Sequence, residues 1–174
     1  CPSGRSRATG SGAGGRHRAP PRELIGRRRG SFLPALTLSI QGQARFVDLP
    51  ARSTLVRWIR AAIERDSQLT LRFVGAREGR RLNRDYRRKD YATDVLTFGY
   101  SVAPVVHADI VICVPVVKRQ AGARRKPIYD HLAHLIVHAT LHAHGYHHDS
   151  VTAARAVEAR ERKILKTLGK RMPY

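Results

Sequence analysis

The sequence predicts an α+β domain in which a mixed sheet of about four strands packs against several helices. Three observations predict it. Four short segments, at 35–41, 69–74, 94–98 and 105–113, are rich in apolar and β-branched residues, and the first two alternate with the period of a half-buried strand. The stretches around them carry apolar residues at helical spacing. The segments at 94 and 105 follow one another across a short connection that begins Gly-Tyr-Ser, so the sheet does not alternate strand and helix throughout.

Residues 1–32 hold seven of the fourteen glycines, eight arginines and one glutamate, with only Leu24, Ile25 and Phe32 as large apolar residues. Such a composition cannot offset the entropy of ordering. The expectation is a disordered basic extension over 1–32, followed by one functional domain over 33–174 that is long enough for a real core. The stretch "RRRGSFLPALTLSIQGQA" (27–44) has the twin-arginine, apolar-run and small-residue look of an export signal. Leu36, Leu38 and Ile40 nevertheless alternate with Thr37, Ser39 and Gln41, which favours a strand. In "PARSTLVRWIRAAIERD", Leu55, Trp58, Ile59, Ala62 and Ile63 share one stripe while Arg57, Arg60 and Glu64 lie away from it, the pattern of an amphipathic helix. "LTLRFV" (69–74) follows as a strand, and "REGRRLNRDYR" as a polar helix that stops near Lys89 and Asp90. "DVLTF" (94–98) and "VVHADIVIC" (105–113) supply the other two strands. A helical pattern from about Pro127 to His144 stops at Gly145, and "TAARAVEARERKILKTLG" closes the chain with Val157, Ile164, Leu165 and Leu168 on one side.

Lys and Arg outnumber Asp and Glu by 33 to 13, a formal charge of +20, of which +13 falls after residue 32. A field of that sign concentrates polyanions, so nucleic acid is the favoured partner. Cys1 and Cys113 form no disulfide framework and suit a reducing cytosol, and Cys113 reads as a small core residue. No apolar run approaches the ~20 residues of a membrane span, so no membrane partner is expected.

Six of the nine histidines fall within "HLIVHATLHAHGYHHDS" (134–150). Residues four apart share a helix face, so His138 and His142 can hold one ion. His134, His138 and His142 together cannot, because eight residues rise about 12 Å while each ligand nitrogen sits ~2.1 Å from a zinc ion. Gly145 can turn the chain back, which makes His148 the natural third ligand. "HATLHAHGYHH" fits H-x-x-x-H-x-x-G-x-x-H, the spacing of the long zincin signature, but Ala139 stands where the proteases carry their general base. His131, His134 and His144 are expected to be chance or solvated members of a His-rich helix end, and His147 a weaker ligand. An all-imidazole set with an open position suits zinc, with nickel and copper as alternatives.

The same segments resemble the YbeY-type endoribonucleases that mature ribosomal RNA. His138, Leu141, His142, Gly145, Tyr146 and His148 match H-G-x-L-H-L-x-G-Y-D-H. "LNRDYRRKDYATDVLTF" (82–98) is similar to L-N-x-x-Y-R-x-K-D-x-x-T-D-V-L-S-F, and "ADIVIC" (108–113) to G-D-I-V-I-C. Ala139, Ala143 and His147 depart from the pattern; His147 replaces an Asp, a role that Asp149 is placed to take over. The resemblance implies Arg87 as the catalytic residue, with Arg88 and Lys89 as RNA-positioning charges and Asp94 and Asp109 in structural roles. It also implies one divalent ion, ribosomal RNA and the ribosome as partners, a cytoplasmic location, and action in rRNA maturation and ribosome quality control. Two rivals are a zincin-like metallopeptidase and a non-catalytic, zinc-stabilised ribosome-binding module.

Overall fold

Alternation at Leu69, Leu71 and Phe73, and again at Ala108, Ile110 and Ile112, commits one face of two strands to a core, and the sheet assembles around that demand. The computed structural model describes residues 33–147 and 149–170. The extension expected over 1–32 and the third ligand expected at His148 lie outside the described residues.

The elements in chain order are β1 (Leu36–Gln41), α1 (Arg52–Ala62), β2 (Ser67–Val74), α2 (Ala76–Arg87), β3 (Val95–Ser101), β4 (Val106–Cys113), α3 (Val114–Ala123), α4 (Ile128–Ala143) and α5 (Val151–Thr167), with a short 3-10 turn at Gln43–Arg45. The strand order is β1-β2-β4-β3. β1 runs parallel to β2 and β2 parallel to β4, while β3 returns antiparallel to β4. The mixed sheet read from the sequence is therefore the sheet observed, with β3 at one edge.

One sheet face carries Leu38, Leu69, Leu71, Phe73, Ile110 and Ile112 into the main core. Leu55, Trp58, Ile59 and Ala62 of α1 and Leu132, Ile136 and Ala139 of α4 meet them there, all essentially inaccessible. Each large apolar side chain so buried contributes roughly 1.5–3 kcal/mol. The opposite face is covered only in part. Val74, Leu96, Val111 and Cys113 form a smaller cluster with Val116 of α3, and Leu82 of α2 and Phe98 pack against it. α3 is not legible in the sequence, because "VPVV" continues the β-like apolar run of β4. Pro115 resolves this: at the first turn of a helix its missing N–H costs nothing. Among the described residues, no helix is long and apolar enough to cross a membrane.

Gly79 makes the contact between α2 and β4 close. A Cβ there would lie 2.9 Å from Cys113 Sγ and 3.2 Å from its Cβ. Glycine inside an exposed helix normally loses about 1 kcal/mol to alanine. Here Gly79→Ala should instead destabilise the fold by roughly 1–3 kcal/mol through overpacking, and Cys113→Ala in the same chain should recover part of the loss. Urea unfolding of the three variants checks this. A Gly79→Ala protein as stable as the parent would mean that α2 can shift without cost.

Candidate metal centre

α4 turns Leu132, Ile136 and Ala139 inward, which leaves His138 and His142 half-buried beside a cleft of about 960 Å³. Their ring centroids are 4.3 Å apart with planes at 60°, so the spacing of four does place both imidazoles together. The helix ends as the sequence indicates. Gly145 adopts φ +88° and its N–H donates to His142 O at 3.0 Å, while the Tyr146 N–H donates to Leu141 O at 3.2 Å. The turn returns His147 to within 5.8 Å of His142, ring to ring. It is held from outside: the Tyr146 hydroxyl donates to Glu64, just after α1, at 2.9 Å, and Arg160 of α5 pairs with the same carboxylate.

Across from His138, α5 presents Glu161, a carboxylate only 1% exposed. Its Oε1 lies 2.5 Å from His138 Nδ1 and its Oε2 lies 3.4 Å from His134 Nε2. Burial alone would push this carboxyl up, but hydrogen bonds from His134 and His138 outweigh it and hold the group down to about 2. Glu161 is thus an anion, and His138 carries its proton on Nδ1. His134, His138 and Glu161 bring ligating atoms within 4.8 Å of one another, a group that can hold a metal ion. The 2.5 Å separation is nonetheless shorter than the roughly 3.4 Å between two ligand atoms of one tetrahedral zinc ion, and is that of a short charge-assisted hydrogen bond. Glu161 is therefore placed to orient the His138 ring, a task the sequence reading left to an Asp near the third ligand.

Arg87 is the last residue of α2, and the turn behind it is fastened at three points. Arg88 takes φ +59° and its N–H donates to Arg84 O at 3.0 Å. The buried Asn83 amide donates to Tyr91 O at 2.8 Å, and Arg80 makes a two-pronged pair with Asp90. Arg87 lines the same cleft as His138, His142 and His147, although it is about fifty residues from them in sequence. Arg88 and Lys89 are exposed on the turn. Asp94 accepts from the Val95 N–H at 2.8 Å and from the Thr93 hydroxyl, and Asp109 accepts from the Tyr100 hydroxyl at 2.9 Å.

Three histidines expected to be incidental or solvated are not. His144 is 5% exposed, with Nδ1–H donating to Thr140 O at 2.8 Å and Nε2 accepting from the Glu64 N–H at 3.4 Å. His131 is 2% exposed, with Nε2 2.8 Å from Gln120 Oε1. Burial depresses the pKa of both, so they are neutral core histidines. His134 belongs to the Glu161 group. The reason is that α4 is buried almost all round, so even its off-stripe positions meet protein. Glu161 itself had a signal that went unused: it falls on the stripe of Val157, Ile164 and Leu165, where a lone carboxylate must find a buried partner.

The family model described as endoribonuclease YbeY matches residues 43–169. The endoribonuclease YbeY of Methylibium petroleiphilum is 49% identical over 146 residues, covering 81% of this chain and 95% of the relative. That of Paracidovorax citrulli is 49% identical over 149 residues, covering 82% and 97%. The solution structure of TM1509 from Thermotoga maritima superposes with a TM-score of 0.51 at 21% identity, over 76% of this chain and 91% of that one, which shows a shared fold. With the match spanning β2 to β4, the Arg87 turn and the histidine helix, the chain belongs to the endoribonuclease YbeY family.

Proposed function

We propose that this chain is a metal-dependent endoribonuclease of single-stranded RNA, acting in the cytoplasm on ribosomal RNA during ribosome maturation and quality control. The observation that carries the reading is the one cleft that Arg87, His138 and His142 line together. Residues 33–174 carry the activity, and residues 1–32 add basic charge. His138 and His142, with His148, would hold the ion, and three imidazoles suit zinc. When bound, the ion supplies Lewis acidity and positive charge beside the scissile phosphodiester. The chain's own residues do the rest. Arg87 grips two non-bridging phosphate oxygens and neutralises charge that grows on them. Glu161 keeps the His138 proton on Nδ1, so that Nε2 serves the ion. Arg88 and Lys89 contact flanking phosphates.

A second ligand set, His134, His138 and Glu161, is favoured by the clustering of their ligating atoms. The two sets differ in what Glu161 does, and Glu161→Gln separates them. If Glu161 orients His138, the variant should bind zinc with unchanged stoichiometry but roughly 10–100-fold more weakly in a chelator competition. Stoichiometry that falls to zero would assign Glu161 as a ligand. A peptidase reading lacks support, because Ala139, at the place of the protease base, is fully buried against the core. The function itself is tested by incubating zinc-loaded and chelator-stripped protein with a single-stranded rRNA fragment and with a denatured protein. Internal cleavage of the RNA alone, dependent on the metal, is the expected result. Proteolysis, or tight binding of ribosomes with no cleavage of any RNA, would replace it by one of the rival functions.

A further inference from the structure

We propose that the uncovered part of the sheet face beneath α2 is a nucleobase-stacking site, formed by Tyr86, Phe98 and Tyr100, for the single-stranded RNA that leaves the cleft. This rests on RNA being the substrate. These rings line a second groove of about 300 Å³, with Leu82, Asp109 and Val111 around them. Tyr100 lies on the edge strand β3 and lines both this groove and the metal cleft, so an RNA strand crossing that edge can touch both. A strand with a phosphate against Arg87 in the cleft can therefore place a base further along at Tyr100.

The groove is suited to a base rather than a phosphate. Tyr86 and Tyr100 are each 68% exposed, an unusual cost for two aromatic rings unless a partner covers them. Both rings are held in place. Tyr86 sits edge-on against Phe98 at 4.9 Å and 65°, and the Tyr100 hydroxyl donates to Asp109. A pre-positioned ring loses little entropy when a base stacks on it. Arg72, the cation among the groove's lining residues, is paired with Glu78, and Asp109 adds a carboxylate held by the Tyr100 hydroxyl, so the groove itself does not attract a phosphate. The cation for the backbone lies next to it: Arg87 follows Tyr86 in sequence and is exposed in the cleft that Tyr100 also lines. Aromatic rings on a sheet face bordered by cations are how proteins hold unpaired bases, and a base in a duplex is stacked already and cannot enter. The site thus explains a preference for single strands without reading sequence.

The test uses the full zinc-loaded chain and two fluorescent strands of about ten nucleotides, one ordinary RNA and one with abasic riboses throughout. Binding is followed by anisotropy, and cleavage is read on gels from the same samples. Tyr86→Ala and Tyr100→Ala should each weaken binding of the ordinary strand roughly tenfold. Tyr100→Phe, which keeps the ring and loses the bond to Asp109, should bind like the parent. The parent and both alanine variants should bind the abasic strand alike. An alanine variant that weakens both strands equally, or neither, overturns the stacking site. Should Tyr86→Ala lose its fold along with its contact to Phe98, Tyr100→Ala decides alone. If the parent prefers the ordinary strand but cuts neither, the stacking site stands and the nuclease reading falls.

Discussion

Arg87→Ala is expected to slow RNA cleavage by roughly two orders of magnitude or more while leaving the fold and the bound metal in place. The side chain is exposed at the last turn of α2, and the turn that positions it is fastened by Asn83, Arg80 and the left-handed Arg88 backbone. Removing the guanidinium therefore withdraws a donor from the cleft without opening the core. RNA affinity should fall only modestly, since one phosphate contact is lost among many in so basic a protein. Arg87→Lys should recover part of the rate, because a point charge neutralises but cannot make the two-pronged contact. The measurement is single-turnover cleavage at saturating enzyme, which separates chemistry from binding. Cleavage by Arg87→Ala at the parent rate would remove Arg87 from the catalytic machinery.

The second large effect concerns the ion. His138→Ala and His142→Ala should each abolish stoichiometric zinc binding and, with it, cleavage, because the proposed set has two ligands on one helix face and the third beyond the turn, and loss of either imidazole leaves only two. His144→Ala should keep about one equivalent of zinc. It should lose stability instead, since His144 bridges Thr140 to the Glu64 and Ser67 region inside the core. Metal content by atomic absorption and melting by circular dichroism read the two consequences separately. Retention of a full equivalent by His142→Ala would transfer the site to His134, His138 and Glu161.

Much of this was legible in the residues. The stripe through Leu55, Trp58, Ile59 and Ala62, the alternation through Leu69, Leu71 and Phe73, and the stop at Gly145 each express a period or a backbone preference belonging to one element, and all appear where expected. So does the pairing of His138 with His142 on one helix face. What was misread was environment. His131 and His144 read as incidental or solvated because that helix is so rich in histidine, but both are enclosed by other elements. α3 was hidden by a β-like composition.

The sequence alone determined, then, which residues share a face and where chains of hydrogen bonds must start or stop, because covalent geometry gives helix and strand fixed periods. Only the tertiary structure decided which faces meet. That Glu161 finds His138 twenty-three residues away, that Arg87 shares a cleft with the histidines, and that Tyr100 lines both this cleft and an aromatic groove all depend on how α2 and α4 pack on the sheet and α5 on α4. Packing is settled by the summed burial of many side chains, so no single motif announces it.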